Sequence, residues 1–159
     1  MHNSAEDNVK VIFVPCYLDG NDGIFNKEYY DLLLGQDLSA YPSYYEPWGY
    51  TPLESVAFKV PTVTTDLAGF GLWVKSFRNQ HGIEDGVEVI HRSDNNYFDV
   101  ADGITETISY FSSLTESEVN EIRKNASDVA EKALWKHFIQ YYYEAYDIAL
   151  RNAEKRQLN

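Results

Sequence analysis

Short β-branched runs alternate along this chain with stretches of helical period, and that alternation limits the possible folds more than any other feature of the sequence. VKVIFVP (Val9 to Pro15), LSAY (Leu38 to Tyr41), VPTVTTD (60–66) and VEVIHR (Val87 to Arg92) read as four strands. Between them, KEYYDLLLGQ (Lys27 to Gln36), TPLESVAFK (51–59) and GLWVKSFRNQ (71–80) carry apolar residues at helical spacing. The first of these helices closes near Gly35, and Gly69, Phe70 and Gly71 form a turn before the third. Strands separated by helices pair in parallel through right-handed crossovers, the doubly wound α/β class, in which ligands sit beyond the carboxyl ends of the strands. Function is therefore expected after Pro15, Pro42 and Thr65.

The last third reads as helical. Val100, Ile104, Ile108 and Phe111 recur at three and four residues, as do Val119, Ile122, Ala126 and Val129, and Thr115 with Glu118 forms a capping-box signature. A final helix from about Trp135 to Leu150 gathers Trp135, Phe138, Ile139, Tyr142, Tyr146 and Ala149 on one face. That stripe is either plain core packing or a surface made to cover another domain.

Size and charge narrow the function. A chain of 159 residues, 44% hydrophobic, forms one domain of ordinary size. It has no window of 18 uninterrupted apolar residues, and its first ten, MHNSAEDNVK, have neither a basic nor an apolar signal region, so a soluble cytoplasmic protein with no membrane partner is expected. Cys16 is the single cysteine and the four histidines are scattered, so neither a disulfide nor a metal site is expected. Thirteen basic against 25 acidic side chains give a net charge of -12, which repels nucleic acid. An anionic ligand must then be held by local devices such as backbone amides at a helix start.

One segment supplies such a device. SYYEPWGYTPLESVAF (Ser43 to Phe58) carries Glu46 on a loop above the sheet and Glu54 in the first turn of a helix, with Thr51 as N-cap and Pro52 at the first helical position. Gly49 permits close backbone approach to a ligand, and the amides of Tyr50, Thr51 and Leu53 face outward at a helix start that favours negative charge. Bland readings stand beside these: Glu54 completing a capping box with Thr51, Glu46 as a solvated carboxylate, Trp48 and Tyr50 as lid packing. From spacing alone, the segment is an anion-binding loop.

The run VKVIFVP…LSAYPSYYEPWGYTPLESVAFKVPTVTTDLAGFG resembles the C-terminal half of glycogen synthases of the animal and fungal type, glycosyltransferase family 3. SYYEPWGYTP, then a glutamate, then PTVTTDLAGFG is a long match to that family's signature, and weaker similarity extends from Val9 to Arg151. The resemblance implies a GT-B fold of two facing Rossmann-like domains, of which residues 1–134 would be part of the nucleotide-sugar-binding one, with about four of some six strands. Residues 135–159 would be a helix packing toward a missing N-terminal acceptor domain. It implies that Glu46 faces the donor sugar and the reaction centre, that Trp48, Gly49, Tyr50 and Thr51 belong to the donor site, and that Glu54 bonds the ribose. The implied reaction moves glucose from UDP-glucose or ADP-glucose to the non-reducing end of an α-1,4-glucan, with retention and without a metal or other cofactor.

The resemblance implies that this sequence starts after the family's N-terminal domain and after the basic pair that neutralises the diphosphate, so neither is expected in it. Its stretch SEVNEIRKNASDVAEK carries only Arg123, Lys124 and Lys132 where the family's regulatory helix is arginine-rich. An inactive, self-associating fragment is expected. The rival readings are a retaining transferase with another donor or acceptor, and a non-catalytic module that binds carbohydrate or a partner through exposed Tyr and Trp.

Overall fold

The computed structural model describes residues 3–78 and 82–157. Two units divide the chain, one up to Gln36 and one from Asp37 onward. The first is built from turns and a five-residue helix, α1 (Tyr29–Leu33). Asp22 nucleates its loop, accepting hydrogen bonds from the backbone N–H groups of Ile24, Phe25 and Asn26. The helix expected over Lys27 to Gln36 is thus shorter, and its end is closed by the Gly35 N–H donating to the Leu32 carbonyl at 3.0 Å.

The strand expected over Val9 to Pro15 does not form. A strand needs a neighbour to receive its peptide groups. Here the side chain of Asn3 takes both groups of Val11, donating to its carbonyl at 2.6 Å and accepting from its N–H at 2.8 Å. Val9 and Phe13 remain 74% and 79% exposed, so the apolar run lacks the burial that would favour extended pairing.

The second unit is α/β. Three parallel strands, β1 (Ser39–Ala40), β2 (Thr62–Thr65) and β3 (Val87–Ile90), lie in the order 1-2-3, with Ser39 opposite Thr62 and Thr62 opposite Val87. Among the described residues the sheet therefore has three strands and not four. All four residues of β2 are buried, as a central parallel strand covered on both faces requires. Helix α2 (Tyr50–Ala57) connects β1 to β2. Helix α3 (Gly69–Phe77), followed by a 3₁₀ turn at Ile83–Asp85, leads from β2 to β3. Residues 79 and 80, expected to end the third helix, lie outside the described residues.

The described residues continue with α4 (Tyr97–Ser112), α5 (Glu116–Lys132) and α6 (Trp135–Gln157). The capping box at the start of α5 forms, with Glu118 accepting from the Thr115 N–H at 2.7 Å and Thr115 Oγ1 accepting from the Glu118 N–H at 3.4 Å. Helix α5 packs on α2, and the core joins Val56 of α2, Phe70 and Val74 of α3, Val87 and Val89 of β3, and Ala126 and Val129 of α5. Burying each Val or Phe stabilises by roughly 1.5–3 kcal/mol. A second cluster of Ile83, Phe111 and Ile122 seats α4 against α5.

Helix α6 is longer than its sequence signature and mostly solvated. Of the expected stripe, Phe138 and Ile139 are half-buried, whereas Trp135, Tyr142 and Tyr146 are exposed, so plain core packing does not describe this face.

Candidate functional site at the carboxyl end of the sheet

The chain leaves β1 and runs over the carboxyl end of the sheet before entering α2. This loop is fastened to the segment after β2 by backbone hydrogen bonds in a strand-like pattern. The Glu46 N–H donates to the Leu67 carbonyl at 3.2 Å, the Gly69 N–H to the Glu46 carbonyl at 3.1 Å, and the Phe70 N–H to the Trp48 carbonyl at 2.6 Å. Gly69 and Phe70 open α3, where a helix has donors but no acceptors of its own, so the loop satisfies that helix end while being held by it. Only glycine fits at 69, because a Cβ there would stand 2.3 Å from the Pro47 carbonyl oxygen.

Gly49 turns the loop into α2. It adopts φ +105, a left-handed conformation that side chains disfavour, and serves as the N-cap without any side-chain cap bond. The expected cap at Thr51 is therefore displaced by two residues: the helix begins at Tyr50, Pro52 is its third residue, and Thr51 and Glu54 do not form a capping box. Pro52 is tolerated there because the first-turn N–H groups have no intrahelical acceptor. The amides of Tyr50 and Thr51 lie in that first turn.

The structure thus brings Glu46, Gly49, Tyr50 and Thr51 together on one loop and helix start, with the Glu46 Cγ 3.5 Å from where a Cβ on Gly49 would stand. Glu54 follows one turn later on α2, half-buried. Trp48 packs into an aromatic cluster: its ring meets Phe70 and Phe138 edge-on at 6.1 and 5.6 Å and tilts on Trp73 at 5.7 Å. With Tyr50, Leu53, Trp73, Trp135 and Tyr142 it lines a groove of about 540 Å³.

Sequence reading missed a second group at the same sheet end. Asp66, the residue after β2, accepts from the Arg92 N–H at 2.9 Å, from His91 Nδ1 at 2.8 Å and from Lys75 Nζ at 3.3 Å. Burial alone would raise its pKa, but these donors outweigh burial and hold the carboxyl below its ordinary value. Arg92 in turn donates to the Pro42 carbonyl at 2.8 Å, and its guanidinium covers the ring of Tyr44 at 4.5 Å. The Tyr44 hydroxyl donates to Asp94 at 3.0 Å, which raises the phenol pKa. The available signal was positional: an Asp directly after TVTT and a His-Arg pair directly after VEVI.

Among the described residues, no group of three or more His, Cys, Asp and Glu side chains is placed to hold a metal ion, and no helix is long and apolar enough to cross a membrane. The family model for glycogen synthase matches residues 1–158. Glycogen [starch] synthase isoform 1 of Saccharomyces cerevisiae is 30% identical over 158 residues, 99% of this chain and 22% of the yeast protein. The Neurospora crassa glycogen [starch] synthase is 28% identical over 159 residues, and the liver glycogen [starch] synthase of Mus musculus 29% over 157. In each case the chain spans 22% of the relative's length. With a family match along nearly its whole length, the chain belongs to the glycogen synthase family.

Proposed function

We propose that this chain is part of the nucleotide-sugar-binding, Rossmann-like C-terminal domain of a GT-B retaining glycosyltransferase of the glycogen synthase type. The observation that supports this most is the loop from Glu46 to Thr51, fastened to α3 and turned by Gly49 into the start of α2 at the carboxyl end of a parallel sheet. In a chain of net charge -12, backbone amides at a helix start hold a diphosphate without relying on the overall field.

In this reading, the amides of Tyr50 and Thr51 receive the diphosphate of UDP-glucose or ADP-glucose, and Glu54 accepts from the ribose hydroxyls. Gly49 lets the backbone approach, and Trp48 anchors the loop from beneath. Glu46 places a negative charge beside the sugar carbon as it becomes oxocarbenium-like, an interaction stronger in the transition state than in the bound donor. No metal or other cofactor takes part, and glucose passes to the non-reducing end of an α-1,4-glucan. The exposed stripe of α6 packs toward an acceptor domain, and the 159-residue chain alone does not turn over.

Calorimetric titration with UDP, with ADP and with a maltooligosaccharide tests this. A nucleotide binds, and Glu54→Gln weakens it about five-fold, the equivalent of losing about 1 kcal/mol from a charge-assisted bond. The melting temperature moves little, since the N-cap of α2 is Gly49 and glutamine at position 54 keeps the shape and an acceptor oxygen of the side chain. Binding of the oligosaccharide without either nucleotide would instead support a carbohydrate-binding module, the reading that the aromatic groove favours.

A further inference from the structure

The guanidinium of Arg92 is arranged to serve the loop that carries Glu46. Its Nη1 donates to the Pro42 carbonyl while its plane covers Tyr44, so one side chain holds two loop residues at once. Its Nε, by contrast, is buried with no hydrogen-bond partner among the described residues. The contacts the guanidinium does make are concentrated on the loop.

The surrounding contacts make the hold a closed circuit. Asp66 fixes Arg92 through the backbone N–H, and His91 and Lys75 share the other carboxylate oxygen. The Tyr44 hydroxyl is tied to Asp94, so the ring cannot swing off the guanidinium without losing that bond. Between Pro42 and Tyr44, Ser43 offers its carbonyl to Thr65 Oγ1 at 2.6 Å. Three successive loop residues are thus fastened to the ends of β2 and β3, two residues before Glu46 meets Leu67.

We propose that Arg92 is a positioning residue for Glu46: by clamping Pro42 and Tyr44 to the ends of β2 and β3, it sets the height of the Glu46 loop above the sheet. The geometric claim stands on the contacts alone, and its consequence for a ligand rests on the donor-loop reading above. Lysine is a poor substitute, because it reaches a carbonyl but has no planar fork to stack on the tyrosine.

The test is amide hydrogen exchange by NMR on the full 159-residue chain, with UDP affinity measured in parallel. In Arg92→Lys the Glu46 amide exchanges at least ten-fold faster, while the Thr62 amide, bonded to Gly86 within the sheet, keeps its rate. Tyr44→Leu, which leaves Arg92 intact, gives the same local pattern, and Tyr44→Phe, which keeps the ring, restores most of the protection. UDP binding weakens about ten-fold in the first two variants. An unchanged Glu46 rate, or equal acceleration at Glu46 and Thr62, overturns the proposal, and Tyr44→Leu decides the matter if Arg92→Lys does not fold. If the unaltered chain binds no UDP but the exchange pattern appears, the positioning role holds and the donor-loop reading falls.

Discussion

At the scale of single residues, burial and charge act against each other most visibly at Glu88. Its carboxyl, carried by β3, is partly buried, and burial, followed by the nearby charge of Glu84, pushes its pKa to about 7, against a lowering by a backbone hydrogen bond at Ile83. The folded-state value is above the ordinary 4.5, so the native state holds this proton more tightly than the unfolded chain. Stability from this group is therefore full below about pH 4.5 and is lost as pH rises through about 7. Glu88→Gln, which stays neutral, is expected to raise the unfolding free energy at pH 8 by an amount on the order of 1 kcal/mol, discounted for partial solvent screening, and to change nothing at pH 4. Thermal melts at the two pH values check this, and an equal effect at both contradicts it.

At the scale of elements, two stretches with one spacing behave differently. Thr51 and Glu54 stand three apart before an apolar run, as do Thr115 and Glu118, and only the second pair closes a capping box. The difference lies upstream. Gly49 takes a left-handed turn and starts α2 before Thr51 can cap it, whereas no glycine precedes Thr115, whose φ of -75 and ψ of 159 are those of an N-cap. Thr115→Ala is accordingly expected to cost about 1 kcal/mol, and Thr51→Ala only a few tenths, because its side chain is exposed and bonds no helix end. Urea denaturation of the two variants checks both, with comparable losses counting against this account.

For the whole molecule, the exposed aromatic face of α6 governs how one copy meets another. Trp135, Tyr141, Tyr142, Tyr143 and Tyr146 are each exposed by close to half or more, and the Trp135 ring tilts on that of its own helix neighbour Tyr142 at 5.0 Å. Apolar aromatic surface of this extent favours association, and the charge of -12 opposes it by mutual repulsion. Self-association that strengthens with both protein concentration and salt is expected, and Trp135→Glu together with Tyr142→Glu is expected to weaken it. Light scattering across a dilution series at low and high salt measures this. A monomer at every concentration in high salt would show that the stripe finds no partner in its own kind.

The α/β class, the central strand TVTT, the helices of the last third and the candidate loop from Glu46 to Thr51 were all readable from the sequence, because each depends on local chemistry: β-branching, helical spacing, a capping pair, and glycines flanked by proline. VKVIFVP shows where that ends. It has four β-branched residues against five in VPTVTTD, yet Val11 gives its peptide groups to Asn3 while Val63 lies between two strands, since pairing belongs to the neighbours and not to the run itself. The same reason hides the Asp66, Arg92 and Tyr44 circuit, whose members lie 22 to 48 residues apart and meet only because three parallel strands end side by side. Local propensity determined which elements this protein could form, and the tertiary structure decided which side chains share the end of the sheet, because contact across that distance exists only after the strands have paired.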